Sequence, residues 1–183
     1  LTFTTYALQW VTVMAFFPTL LMENRGFTAG AASWLTALMV AVNVPGNLLG
    51  GWLLQRGFRR GRLLVGACLT MGVAGLVIFY PQFSFSLQYT ACLIFSGVGG
   101  LIPAAIFGAS PVLAPHPRLL ATTNGLILQG SNFGQVLGPP LLAWMVSTTG
   151  TWQSAPWILA AAAGCGVVLS FLLGRMEKRP GLT

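Results

Sequence analysis

Charge is nearly absent from this chain, and what there is sits between long apolar runs. Of 183 residues, 6% are charged and 55% are hydrophobic. An ordinary globular domain carries about 25% charged residues, enough to coat a surface that meets water. This chain cannot coat one, so it is expected to lie in a membrane. A helix crosses the hydrocarbon with about 20 mostly apolar residues, and six stretches qualify: 3–22, 31–54, 63–80, 87–112, 119–146 and 154–174. Short connections separate them, so neighbouring helices should run antiparallel. The expected fold is an all-α membrane bundle of six helices with a basic tail over 175–183.

The charges test that division. Under six spans, Arg56, Arg59, Arg60, Arg62, Arg118, Arg175, Lys178 and Arg179 fall on one side, and Arg25 alone falls on the other. Basic residues accumulate on the cytoplasmic side of membrane proteins. Both termini are therefore expected in the cytoplasm. One span more or fewer would scatter the charges. A formal net charge of +7 also raises nucleic acid as a partner, but the basic residues cluster at the ends of apolar runs, where lipid headgroups meet them, and no nucleic-acid role is expected. Cys68, Cys92 and Cys165 lie within apolar runs and fit no metal or disulfide spacing. No cofactor is expected. The chain opens at Leu1 without Met or a basic leader, which points to a piece of a longer protein. Arg-rich, Lys-poor composition fits a bacterial cell membrane.

Polar residues and glycines mark function. In "SNFGQVLGPP", residues 131–140, Gly130, Gly134 and Gly138 form a stripe at four-residue spacing. Such spacing lets helix backbones approach closely, which matters because lipid gives no hydrophobic drive for helix association. Asn124, Ser131 and Gln135 share a neighbouring face, with Asn132 beside them and Gln129 at its far edge. Amides facing lipid would be unsatisfied at a cost of several kcal/mol, so this face should look inward. Pro139 and Pro140 should bend or loosen the helix. The second span repeats the pattern with Asn43 and Asn47 around Pro45, and with Gly46 and Gly50. The first offers Tyr6, Gln9 and Trp10. Candidate residues for a small-molecule substrate are Tyr6, Gln9, Asn43, Asn47, Gln129 and Asn132, expected to line one shared cavity. The alternative reading is that the amides serve only to bind neighbouring helices.

Between the second and third spans, "GGWLLQRGFRRGR" resembles the loop of the major facilitator superfamily of secondary transporters, through Gly51, Leu53, Arg56, Arg59 and Arg60. Gln55 stands where the family pattern has Asp, and the internal Gly is shifted to Gly57. "LIFSGVGGLIP", "GQVLGPPLLAW" and "TTGTWQSAPW" resemble the family's later helices and their connection, with Leu93 where a first half often has Arg. "FFPTLLMENRGFTAGAASWLTALMVAVNVPGNLLGGWLLQRG" resembles the cyanate-permease-like branch. The resemblance implies one C-terminal half of a twelve-helix carrier, completed by a missing N-terminal six-helix half or by a second copy, and alternating access to a central site. It also implies that Arg56, Arg59 and Arg60 act as a gating loop, pairing with helix C-termini or acids. Anchoring topology and lipid is the other reading of those arginines.

Other classes remain. A passive channel, a sensor or an assembly subunit would share the glycine packing. An intramembrane serine protease would need Ser110 near His116, the only histidine.

Overall fold

The computed structural model describes residues 1–80 and 82–176, without the side chains of Gln153 and Met176. The helices are α1 Thr2–Arg25, α2 Ala29–Gln55, α3 Arg60–Ile78, α4 Phe85–Gly99, α5 Leu101–Phe107, α6 Ser110–Leu113, α7 Leu120–Thr149 and α8 Ala155–Met176. Single 3₁₀ turns precede α7 and α8, and no strand occurs among the described residues. α1, α2, α3, α8 and the Phe85–Leu113 segment are each long and apolar enough to cross a membrane. α7 is the longest helix, at 30 residues, but its amides, glycines and threonines dilute its apolar content. It completes an all-α bundle of six spanning elements.

The fourth element runs over Phe85–Leu113 as one spanning segment, but its regular helical hydrogen bonding breaks at Gly100 and again near Gly108 while the backbone there stays right-handed helical. Proline accounts for both places. Pro103 has no N–H to give the Gly99 carbonyl, and Pro111 has none for Phe107. The freed Phe107 carbonyl accepts the Ser110 hydroxyl at 2.8 Å. α1, α2 and α7 instead run unbroken through Pro18, Pro45 and Pro139–Pro140. Pro139 and Pro140 therefore do not interrupt the helix.

The connections gather at two ends. At one, Arg25 donates to the Phe83 carbonyl at 2.6 Å and to Gln88 Oε1 at 2.8 Å, and Trp152 Nε1 donates to Glu23 at 3.0 Å. Gly26, at φ 66°, closes α1 by donating its N–H back to Leu21 and Met22; left-handed backbone of this kind favours glycine. At the other end Arg60 reaches Gly108, and Gly61 lies against Gly174. Arg56, Arg59, Arg60, Arg62, Arg118 and Arg175 adjoin this second end. Lys178 and Arg179 of the basic tail lie outside the described residues.

Small residues set how closely the helices pack. α7 lies along α1 and α3 along α8. A Cβ on Gly134 would overlap the Thr4 carbonyl, and one on Gly138 would overlap the Thr12 hydroxyl. Gly130 approaches Thr4 Oγ1, with 3.2 Å to the place of its missing Cβ. α2 crosses the fourth element in the same manner: Gly46 meets the Gly97 backbone, and Gly50 meets Leu101 and Ala104. α2 buries only Ala32, Met39, Gly46 and Gly50, and α7 only Ser131, Gly134, Gly138 and Leu142. Each touches the bundle along one narrow stripe and leaves the rest of its surface open. Trp34, Val44 and Leu48 stand exposed on α2, and Leu126, Phe133 and Val136 on α7.

Candidate functional site

A chain of hydrogen bonds joins α1, α2 and α4 beside the break in the fourth element. Asn47 donates to Asn43 Oδ1 at 2.8 Å and to the Asn43 carbonyl at 3.2 Å. Asn43 in turn donates to the Ser96 carbonyl at 2.8 Å and to the Tyr6 hydroxyl at 3.3 Å. The four-residue spacing of Asn43 and Asn47 lets one amide orient the other on the same helix face. Gly100 permits the approach: its missing Cβ would overlap the Asn43 carbonyl and lie 2.8 Å from the Asn47 nitrogen. An amide in apolar surroundings is costly unless its donors and acceptors are met, and here the bonds between the two asparagines meet part of that demand.

The cluster retains unused hydrogen-bonding capacity. Tyr6 accepts from Asn43, which leaves its own O–H free to donate. Its ring is buried, stacked on Phe3 at 5.8 Å and on Trp10 at 6.4 Å between centroids. Trp10 Nε1 is buried without a hydrogen-bond partner, as is the Ser96 hydroxyl. An unmet buried polar group is uncommon enough to need a reason. Two neutral donors thus lie buried on successive turns of α1, beside an ordered amide pair.

The candidates of the sequence divide. Tyr6, Asn43 and Asn47 come together. Gln9 is fully buried, but it donates to the Thr5 carbonyl of its own helix at 3.1 Å, and its Oε1 has no partner. Thr5 adjoins Gly166 of α8, which sets Gln9 one turn along from the α1–α8 contact. Gln129 and Asn132 are exposed, on the side of α7 turned away from its glycine stripe and from α1. Gln135 donates to Ser131 at 3.2 Å. Sequence reasoning did not single out Ser96. Its register was the available signal, since it precedes Gly100 by one helical turn.

The arginine loop is engaged. Arg60 Nη2 donates to the Gly108 carbonyl at 3.0 Å, just past the end of α5. The Arg56 guanidinium lies 4.1 Å above the Trp52 ring. Arg59 is exposed and precedes the first turn of α3.

Ser110 and His116 serve local turns. Ser110 bonds the Phe107 carbonyl, and His116 Nδ1 accepts the Arg118 N–H at 3.2 Å. Among the described residues no cluster of His, Cys, Asp and Glu fit for a metal ion occurs.

Comparison with known proteins gives a match to the Major Facilitator Superfamily over residues 1–182. A probable sulfoacetate transporter, SauU of Cupriavidus necator, is 26% identical over 170 residues, covering 90% of this chain and 39% of the relative. Monocarboxylate transporter 12 of Xenopus laevis is 24% identical over 168 residues, covering 86% of this chain and 35% of the relative. A probable galactarate/D-glucarate transporter, GudP of Pseudomonas putida, is 24% identical over 176 residues, covering 90% and 37%. The chain thus spans 35–39% of the length of these relatives. None of the three bears a cyanate-permease name.

Proposed function

The chain belongs to the major facilitator superfamily, and from that premise we propose that it is the C-terminal six-helix half of a secondary transporter that carries a small organic anion by alternating access. The observation that carries this reading is the Tyr6–Asn43–Asn47 cluster, with the Tyr6 O–H and the Trp10 N–H left unengaged beside it. Neutral donors suit a carboxylate or sulfonate that must bind and then leave, because they attract the anion without the long-lived pairing of a buried cation. The named substrates of the relatives, sulfoacetate, monocarboxylates and galactarate or D-glucarate, are acids of this kind.

The missing half is inferred from the open surfaces of α2 and α7. Gln129 and Asn132 stand on such a surface, and amides facing acyl chains would be left without partners. A second bundle, closing over them with water or solute between, removes that cost. In this reading Gln129 and Asn132 line the cavity from α7, while Tyr6, Asn43 and Asn47 line it from α1 and α2; Gln9 supports α1 from within. The arginine-rich end, Arg56 to Arg62 with Arg118 and Arg175, faces the cytoplasm of a bacterial cell. Arg56, Arg59 and Arg60 form the gating loop there.

The test is uptake by the full-length protein in proteoliposomes, with sulfoacetate, short monocarboxylates and glucarate as solutes. Saturable flux that follows an imposed gradient is the expected result. Asn43→Ala should reduce it while the protein still inserts and purifies. Steady conductance without saturation would identify a channel, and ligand binding without flux a sensor. Either outcome discards the carrier.

A further inference from the structure

We propose that the seam between α3 and α8 at the arginine-rich end binds an anionic phospholipid, headgroup uppermost. The seam holds a cleft of about 840 Å³. Arg59, Arg62 and Arg175 stand around it, and Val65, Gly66 and Phe171 form its walls. A second hollow of about 470 Å³, lined by Arg56, Arg59 and Arg62, adjoins it and extends the basic surface along the loop.

The two helices give the cleft the polarity of a lipid. On α3, Arg62, Val65, Gly66, Leu69 and Val73 share one helical stripe, running from charge to exposed hydrocarbon. On α8, Arg175, Phe171 and Val168 form the matching stripe. Leu69, Val73, Val168 and Phe171 are exposed. A lipid phosphate seated among the three guanidiniums would therefore lay its acyl chains along apolar side chains of both helices. The floor comes from small residues. Gly61 and Gly174 bring the backbones of α3 and α8 together, since a Cβ on Gly61 would lie 2.8 Å from the Gly174 Cα. Gly66 has nothing within 4 Å of its absent side chain, so the wall stays open above that contact. The Arg175 guanidinium sits 4.4 Å over the Phe171 ring, which orders it at the rim.

The arginines choose the ligand. Planar guanidiniums pair with phosphate oxygens in parallel hydrogen bonds, and basic hollows between spanning helices suit anionic headgroups. A zwitterionic headgroup carries its own cation and gains less. The inference needs the chain to lie in a membrane, and it is independent of the transported solute.

Native mass spectrometry of the delipidated full-length protein, titrated with phosphatidylglycerol and with phosphatidylcholine, tests it. Phosphatidylglycerol should bind at least about fivefold more tightly, and each arginine removed should weaken its binding by about fivefold, as expected for one cation near an anionic surface. Arg62→Gln with Arg175→Gln should therefore abolish the preference, while Arg118→Gln, an equal charge change in another loop, leaves it intact. Should the double variant fail to fold, Val65→Trp fills the cleft and keeps every arginine, and it should weaken phosphatidylglycerol binding alone. Equal binding of the two lipids overturns the proposal, as does an equal loss in Arg118→Gln or full binding by Val65→Trp. Displacement of the lipid by millimolar inorganic phosphate would assign the arginines to a free anion and overturn it too.

Discussion

The backbone carbonyl of Asn43 occupies the space that a Cβ on Gly100 would need. The crossing of α2 over the fourth element and the position of the Asn43 side chain are thus one feature. Pro103 removes the helical bond to Gly99, the helical ladder lapses at Gly100, and the bare backbone there receives α2. Gly100→Ala should push α2 outward and break the 2.8 Å bond from Asn43 to Ser96. Inserting one methyl group into a packed contact of this kind costs about 1–3 kcal/mol. A thermal melt of the full-length protein should show the loss, together with reduced transport. Gly51→Ala is the control, because nothing lies within 4 Å of its Cβ position; that variant should be neutral or slightly more stable, as alanine is the better helix former.

The α1–α7 contact gives a second prediction of opposite spatial logic. Gly134 meets backbone atoms of Thr4 and Leu8, which cannot swing aside as a side chain would, and Gly138 meets the Thr12 hydroxyl and the Leu8 backbone. Gly134→Ala should destabilise by about 1–3 kcal/mol, and Gly134→Leu should prevent the two helices from packing at all. Gly164→Ala, in open space on α8, should do neither. A cross-link between cysteines placed on α1 and α7 reads the contact directly and should fail in Gly134→Leu.

What the sequence made legible follows from the range of each cause. The helices, their alternation and the sorting of arginines were readable because hydropathy and charge act locally along the chain. The stripe Gly130, Gly134 and Gly138 was readable because helical periodicity places its members on one face. The break at Gly100 was less so: Pro18, Pro45, Pro103 and Pro139 look alike in sequence, yet only Pro103 follows an interruption of its helix. Asn43 was identifiable as a polar residue that needs a partner, but its partners, the Ser96 carbonyl and Tyr6, lie 53 and 37 residues away. Gln9 shows the converse limit. Its amide nitrogen bonds Thr5 four residues back while its Oε1 stays unpartnered, a local arrangement that composition cannot reveal.

Tyr6→Phe isolates one of the two free donors. The ring keeps its stacking on Phe3 and Trp10, so packing is retained, while the hydroxyl that accepts from Asn43 and has a proton to offer is lost. A hydrogen bond to a charged group contributes about 1.5–3 kcal/mol. Transport of an anionic solute should therefore show KM raised by about tenfold or more, with the melting temperature changed little. Trp10→Phe should act in the same direction. If KM stays unchanged in both variants, α1 does not contribute these donors to the solute.

Arg60 ties the loop after α2 to the end of α5. Its guanidinium bonds the Gly108 carbonyl at 3.0 Å, next to the Phe107 carbonyl that Pro111 leaves to the Ser110 hydroxyl. A cation at a helix C-terminus is stabilising by about 0.3–1 kcal/mol at low salt, and less when screened. Arg60 is half-buried, so its contribution falls within that range rather than above it. Arg60→Gln should loosen this end of the bundle. Ala109, buried beside Gly108 at 1% exposure, gives the readout as Ala109→Cys in a Cys165→Ser background, since Cys165 is the exposed native thiol. Maleimide labelling at position 109 should quicken by about two- to fivefold in Arg60→Gln, the ratio that matches the energy at stake. Arg60→Lys keeps the charge but not the planar fork, and it should recover part of the protection. Raising the salt from about 10 mM to about 0.5 M should narrow the gap between the parent and Arg60→Gln, because a Debye length shortened from about 30 Å to about 4 Å screens an interaction at the bundle's edge. A gap that does not change with salt would show that packing of the side chain, and not its charge, holds the loop.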